Sequence, residues 1–445
     1  MKSNNKDCDI SNIYRLDGRV PLAEAVPFGV QHILAMFVAN LAPIILIVSA
    51  ASPTMEQAQF AMLLQNAMFV AGIATLIQLY PIWRVGSRLP IVMGVSFTFV
   101  AVLGATAANY GYSAVIGAVI VGGIMEGTLG LLAKYWRWII TPIASASVVT
   151  AIGFSLFSVG VRSFGGGYNP DFGSWTNLFL GTLTLVTCLL WHAFAKGYRK
   201  QLSVLAGMFV GYIAAVFMGK VDLSVLMSGG LISLPHILPF KPEFHVGPII
   251  STCIIFLVSA AETMGDTAAM TASGLGRKIT GDEVSGSIAC DGYASAVSAL
   301  FGCPPVTSFS QNVGLIAMTK VVNRFTIMTG AALMILSGLL PPIGHFFASL
   351  PDAVLGGCTI MMFGMILTSG IQMIAGCGFT QRNIVIVALA MAVGVGITAP
   401  SEADIWNNFP PLVKTIFAGN VVAVTFVMSI ILSWVLPKNM EIKKL

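Results

Sequence analysis

Apolar runs of about twenty residues recur from one end of this chain to the other, and a soluble fold has no way to hide so many. Roughly 20 apolar residues cross the ~30 Å hydrocarbon layer of a bilayer. Read with that window, such runs fall near 28–51, 59–81, 112–133, 139–161, 174–195, 202–219, 246–270, 285–302, 325–340, 353–375, 383–399 and 413–436. Two shorter stretches, 90–106 and 304–319, are apolar but interrupted by Pro, Gly and Ser. Only 9% of the 445 residues are charged, against about 25% in an ordinary soluble domain. That is too little polar surface for globular domains, which excludes a soluble enzyme, a nucleic-acid binder or a disordered chain as first readings. The fold class read here is an all-α polytopic membrane protein.

Counting the two interrupted stretches gives 14 transmembrane segments and returns both termini to one side. The distribution of Lys and Arg supports that count, because basic residues collect in cytoplasmic loops. With the N-terminus inside, 19 of the 23 basic residues lie in inside segments, from Lys2 and Lys6 to Lys438, Lys443 and Lys444. Arg162, Lys220, Lys241 and Lys414 fall outside. The net charge of +5 is therefore a topology signal and implies no nucleic-acid partner. The polar first 26 residues hold no apolar stretch before a cleavage site, so no removable signal peptide is expected. Seven cysteines (Cys8, Cys188, Cys253, Cys290, Cys303, Cys358 and Cys377) are scattered without a CxxC pair and read as small buried hydrophobes. No metal site and no cofactor is expected.

The two interrupted stretches resemble each other. Pro90–Phe99 reads PIVMGVSFTF and Pro304–Asn312 reads PPVTSFSQN, so Ser96-Phe97-Thr98 echoes Ser308-Phe309-Ser310. Each is the third span of a seven-span half. Matching broken segments in two halves are the mark of inverted repeats that build a site at the membrane midplane. Both are β-prone, so short strands are expected in broken spans 3 and 10. Extended backbone at that depth is tolerated only where protein covers it or a cavity is lined. A half-helix after it offers backbone donors and a positive end to a small polar ligand.

Four carboxylates fall inside expected spans: Glu126, Glu262, Asp266 and Asp291. Each costs about 2.5–3.5 kcal/mol at a helix centre and so needs a reason. Glu262 and Asp266 stand four residues apart and share one helix face, an arrangement suited to loading and releasing a proton. The bland reading is a structural pair bonded to Ser and Thr of neighbouring helices. Asp291, on the ninth span, reads as functional. Glu126 lies among Gly122, Gly123 and Gly127, where close packing and one satisfied carboxyl suffice to explain it. His32, inside the first span beside Gln31, is open to a structural or a functional reading.

Gln311-Asn-Val-Gly-Leu-Ile-Ala-Met-Thr-Lys320 resembles the signature of the nucleobase–ascorbate transporter family, also called nucleobase:cation symporter-2. That signature runs Gln, Glu or Pro, then Asn, any residue, Gly, four residues, Thr, and Arg, Lys or Gly. All five defined positions match, and His32, Ser96-Phe97, Glu262, Asp266 and Asp291 look like the family's other landmarks over essentially the whole chain. The resemblance implies two inverted seven-span repeats forming a core domain (27–133, spans 1–4, and 246–350, spans 8–11) and a gate domain (134–245, spans 5–7, and 351–437, spans 12–14). Cytoplasmic tails would occupy 1–26 and 438–445. It further implies a homodimer in the bacterial inner membrane working by an elevator-like motion, with lipid around it and no enzymatic activity.

By the same resemblance the base binds between the strands of spans 3 and 10. Phe97 would flank the ring, Glu262 and Gln311 would bond its edge, and backbone at Phe97, Ser310 and Gln311 would add contacts. Asp266, Asp291 and His32 match positions tied to proton coupling or to shaping the site, Asn312 to affinity and specificity. Gln at 311 is typical of purine carriers and Glu of uracil carriers; an amide offers both a donor and an acceptor to a purine edge. Ser96, where some xanthine carriers have Asn, leaves uric acid open beside xanthine. The expected function is proton-coupled symport of xanthine or uric acid, with another nucleobase, uracil included, as the alternative. An anion transporter of the related fold needs a midplane cation, and Lys320 and Arg324 lie past the half-helix. An intramembrane aspartyl protease needs Gly-x-Gly-Asp, whereas Asp266 follows Met264-Gly265.

Overall fold

The computed structural model describes residues 9–51, 55–221, 230–437 and 440. Lys2, Lys6, Cys8, Lys438, Lys443, Lys444 and parts of the two expected tails lie outside the described residues. The first half runs α1 (Leu22–Ser49), α2 (Gln57–Leu79), β1 (Met93–Val95), α3 (Val100–Tyr110), α4 (Tyr112–Leu131), α5 (Ala133–Trp136), α6 (Pro142–Phe164), α7 (Trp175–Phe194) and α8 (Ser203–Phe217). The second runs α9 (Val246–Leu275), α10 (Gly281–Leu300), β2 (Val306–Ser308), α11 (Ser310–Thr319), α12 (Arg324–Ser337), α13 (Pro341–Ala348), α14 (Asp352–Cys377), α15 (Gln381–Ile397), α16 (Pro411–Phe417) and α17 (Val421–Val435).

Local chemistry marks many of these ends. Thr280 and Glu283 form a reciprocal capping box at the start of α10, satisfying two donors that a helix start leaves over. Thr141, Ser174, Asn323 and Thr380 each accept a backbone N–H at a helix start. Gly276 ends α9 in the left-handed region, at φ 64°, which glycine adopts without a Cβ penalty.

Among the described residues seven helices are long and apolar enough to cross a membrane: α1, α2, α4, α6, α7, α9 and α14. α12 and α13 pass the same test only as a pair, bent by 79°. The expected span at 325–340 thus holds the 14-residue α12 alone, because Gly338 ends it and Pro341-Pro342 restart the chain in a new direction as α13. The expected span at 413–436 likewise divides into α16 and α17. Between them Gly419 takes φ 75° and the Asn420 side chain caps α17. α10 fails the apolar test yet is a 20-residue helix. It is buried along most of its length, so its Ser, Gly and Asp face protein and it needs no apolar exterior.

The crossing helices differ in what surrounds them. The most apolar stretch of α1 is 78% buried and that of α7 only 28%. α1 is therefore interior, while α7 and α8 turn Phe179, Leu189, Phe209 and Phe217 outward, as lipid-facing helices do. Trp138 and Trp434 stack at 5.9 Å where α6 begins and α17 ends, the amphipathic-ring position of a membrane interface. Of the described cysteines, Cys188, Cys290, Cys303 and Cys358 are buried, and Cys253 and Cys377 half-buried.

Candidate functional site

β1 and β2 lie in the two interrupted stretches and pair antiparallel, with Met93 opposite Ser308, Gly94 opposite Thr307 and Val95 opposite Val306. Ser96 N–H to Pro305 O (3.0 Å) and Phe309 N–H to Val92 O (3.0 Å) extend the ribbon at both ends. Two strands alone leave outer edges of unpaired backbone, a heavy cost away from water. Side chains from three helices close those edges. Asn40 of α1 accepts from Val95 N–H at 2.8 Å, and Thr75 of α2 accepts from Met93 N–H at 2.9 Å. On the other edge Ser295 of α10 both accepts from Val306 N–H and donates to Val306 O, each at 3.1 Å. Ser298 donates to Pro304 O at 2.7 Å, and Asp291 accepts from Ser308 N–H at 3.3 Å. Gly94 permits the crossing itself, since a Cβ there would run into Met36 and the Phe309 ring.

Each strand feeds a short helix. After β1 a tight turn at Phe97–Phe99, capped by the Ser96 hydroxyl, leads into α3; after β2, α11 starts at Ser310. Because the strands are antiparallel and paired, both helix starts stand near the ribbon, and their free N–H groups make it electropositive. α9 runs alongside and supplies the acids. Glu262 accepts from Thr98 Oγ1 at 2.6 Å. Asp266, one turn on, accepts from Ser310 Oγ at 2.7 Å and Ser308 Oγ at 3.4 Å. Thr263, between them in sequence, donates to Asp291 Oδ2 and lies 3.2 Å from Ser308 Oγ. One hydroxyl-and-carboxyl network thus ties α9, α10, β2 and the starts of α3 and α11.

The remaining candidates border this network. Phe97 meets Phe363 of α14 edge-on at 5.3 Å between centroids. Asn312 Nδ2 lies 3.4 Å from His32 Nδ1 and donates to His32 O at 3.3 Å, which brings the first span to α11. Gln311 is half-buried. Its neighbour Asn312 is buried. The candidates Ser96, Phe97, Glu262, Asp266, Asp291, Ser310 and Asn312 with His32 therefore gather around the strand pair, and Gln311 sits at the start of α11 beside them. Among the described residues no group of three or more His, Cys, Asp or Glu is placed to hold a metal ion.

Sequence reasoning missed the groups that hold the site together: Thr98, Thr263, Asn40, Thr75, Ser295 and Phe363. Thr98 carried a usable signal, lying in the Ser-Phe-Thr that echoes Ser-Phe-Ser. Glu126 also differs from expectation. It is 1% exposed, and the Ser259 hydroxyl of α9 is the one side-chain donor in its reach, short of a well-formed hydrogen bond to either oxygen.

Residues 23–402 match the family model Xan_ur_permease, described as a permease family. The chain is 34% identical to the xanthine permease XanQ of Escherichia coli K12 over 88% of this chain and 87% of that one. It is 32% identical to the uric acid permease PucJ of Bacillus subtilis 168 over 87% of each. In fold it is similar to the transmembrane domain of the cyanobacterial bicarbonate transporter BicA, with a TM-score of 0.61 at 14% identity, covering 93% of this chain and 97% of that domain.

Proposed function

This chain belongs to the nucleobase–ascorbate transporter family, and from that premise we propose that it imports xanthine or uric acid together with a proton. The observation that carries the reading is the crossing of β1 and β2. Two helix starts and two acids on one face of α9 converge there, with Gln311 in the first turn of α11. A purine dione presents alternating N–H and C=O groups. Glu262 accepts from such an N–H, Gln311 both donates and accepts, and the free N–H groups of α3 and α11 serve the carbonyls. Phe97 gives the ring a flat apolar partner.

Coupling follows from charge. A purine entering beside Glu262, Asp266 and Asp291 meets three acids, and closing the site over an uncompensated charge is costly. A proton taken up from outside with the base removes that cost, and release of both inside restores the starting charge. In the proposed cycle, 14 segments with both termini cytoplasmic divide into a core (27–133 and 246–350) and a gate (134–245 and 351–437). The core carries the site past the gate in a homodimer of the inner membrane. The Phe97–Phe363 contact lies on that sliding boundary. An anion transporter of the BicA-like fold is the weaker reading, because carboxylates rather than a cation stand at the crossing.

The test is uptake of labelled xanthine with unlabelled uric acid, uracil and guanine as competitors, with and without a protonophore. Accumulation that xanthine or urate blocks and the protonophore collapses supports the proposal, and the better competitor names the substrate. Uptake that ignores purines and follows uracil overturns the purine assignment.

A further inference from the structure

Behind the strand pair, α4 and α10 approach so closely that a Cβ on Gly292 would overlap the backbone of Glu126 and Gly127. Gly123 abuts the Ala296 backbone and Gly130 that of Ala289 in the same way. At this tight seam three acceptors are left over. Both oxygens of Glu126, 1% exposed, lack a hydrogen bond, as do Asp291 Oδ1 and the hydroxyl of Ser259 on α9. The Glu126 carboxyl is turned toward Ser259, with Asp291 of α10 and Glu262 of α9 as the ionisable groups in its field. Among the other titratable groups on packed neighbours, Tyr293 lies along the seam, bonded toward Thr128; Lys134, Tyr135 and Tyr110 stand at helix ends. Among the described residues no cation acts on Glu126.

Burying an acid with one hydroxyl, Ser259, in reach and no counter-charge beside it favours a carboxyl that holds a proton for part of its cycle. Two such acids share a field, so the state of one sets the cost of ionising the other. We propose that Glu126 is a proton-holding residue of the transport cycle, paired with Asp291. In the step proposed, the proton that arrives with substrate moves between the two carboxyls by way of the Ser259 hydroxyl. An O–H bond on Asp291 breaks, one on Glu126 forms, and the net charge of the pair is unchanged. Asp291 is also bonded to Ser308 N–H of β2 and to Thr263. The state of the pair is therefore felt directly at the strand that faces the substrate.

The inference rests on the proton-symport reading, and its test separates the two. Glu126→Gln has the shape of the neutral acid and cannot release a proton. In proteoliposomes, xanthine accumulation driven by a pH gradient should fall about tenfold or more, with xanthine counterflow reduced by about threefold at most. The pH profile of uptake should be displaced as well. Wild-type accumulation with an unchanged profile overturns the proposal and leaves Glu126 a structural acid. Should Glu126→Gln not fold, Glu126→Asp keeps an exchangeable proton, and a profile identical to wild type again overturns it. If wild-type uptake ignores the protonophore, the symport reading itself fails. Proton uptake on xanthine binding in detergent then decides, and equal values for wild type and variant, zero included, overturn the Glu126 role.

Discussion

Two helix pairs in this molecule, α4 with α10 and α6 with α14, are zipped by the same device and bury different things. In the first, Gly123, Gly130 and Gly292 let backbones touch, and Gly127 makes room for the Tyr293 ring. In the second, Gly153, Gly356 and Gly370 do the same against Leu367, Phe164 and Thr150, and Gly160 makes room for the Phe363 ring. Small residues serve both because packing, rather than a hydrophobic drive, holds helices together in lipid. The polar groups then part company. Thr150 and Ser147 of α6 donate to carbonyls of their own helix, at 2.8 Å each, and ask nothing of their neighbours. Ser285, Ser295, Ser298 and Asp291 of α10 reach across to α4 and to the strands. The first pair is a bracket that holds strands and charge; the second is a wall whose middle hydroxyls stay within their own helix, with Ser163 reaching Asp352 O only at its end and Phe363 against Phe97.

If the packing is the same, adding one methyl should hurt both seams alike. Gly292→Ala and Gly356→Ala each drive a Cβ into neighbouring backbone, so each should lose about 1–3 kcal/mol of stability or more. Gly364→Ala, with nothing within 4 Å of its Cβ, should stay within about 0.5 kcal/mol. Thermal unfolding in detergent measures all three. Tolerance of Gly292→Ala alone would mean that the α4–α10 bracket is looser than its partner.

Charge is where the pairs should diverge. Glu262→Gln, facing the bracket's strands, should keep folded protein and cut xanthine accumulation by about 30-fold, the value of one hydrogen bond to a charged group at ~2 kcal/mol. Asp352→Asn, in the first turn of α14 with Asn169 Nδ2 at 3.0 Å, should change accumulation by less than about threefold. Full accumulation with unchanged affinity in Glu262→Gln would show that the acid had been misassigned. Equal losses at both positions would erase the contrast.

Much of this contrast can be read in the chain itself, and the reasons are physical. An apolar run of 20 residues has few fates, so α1, α2, α4, α6, α7, α9 and α14 were visible at once. Glu262 and Asp266 could be placed on one face because helical spacing dictates it, and the proline-led Ser-Phe repeat marked where backbone would leave the helix. Edge closure by Asn40, Thr75 and Ser295 could not be seen, since hydroxyls and amides at such positions follow no period; only the pairing of two distant segments gives them their work. The break between α12 and α13 did have a signal, Gly338 before Pro341-Pro342, hidden because the run on either side is equally apolar. Glu126 was misjudged for a related reason. Glycine neighbours announce close packing but say nothing of whether a donor sits opposite.

Thr98 tests a finer feature of the bracket, the hydroxyl between strand and acid. Its Oγ1 donates to Glu262 at 2.6 Å, and it sits in the turn that starts α3. Thr98→Val keeps the shape and removes the donor, so xanthine affinity should weaken about fivefold, or ~1 kcal/mol. Thr98→Ser should recover most of it. An unchanged affinity in Thr98→Val would mean that Glu262 is oriented by other contacts, and the bracket would then owe less to α3 than to α9.

The smallest effect is expected on the wall's side, at the water-facing end. Lys220, just beyond α8, donates to Asp171 in the loop after α6 at 2.8 Å, with side chains 37% and 42% exposed. That hydrogen bond holds the Asp171 carboxyl below its ordinary value of 3.8. A lowered carboxyl value makes the pair's contribution complete above about pH 4 and lost as the pH falls through the folded value. Exposure and salt screening keep it below about 0.5 kcal/mol. Lys220→Ala should thus lower the unfolding temperature by about 1 °C at pH 7 in low salt, and by nothing measurable at pH 2 or in high salt. A loss of several degrees that survives high salt would mean that the wall, too, depends on charge, and the division of labour between the two helix pairs would fall.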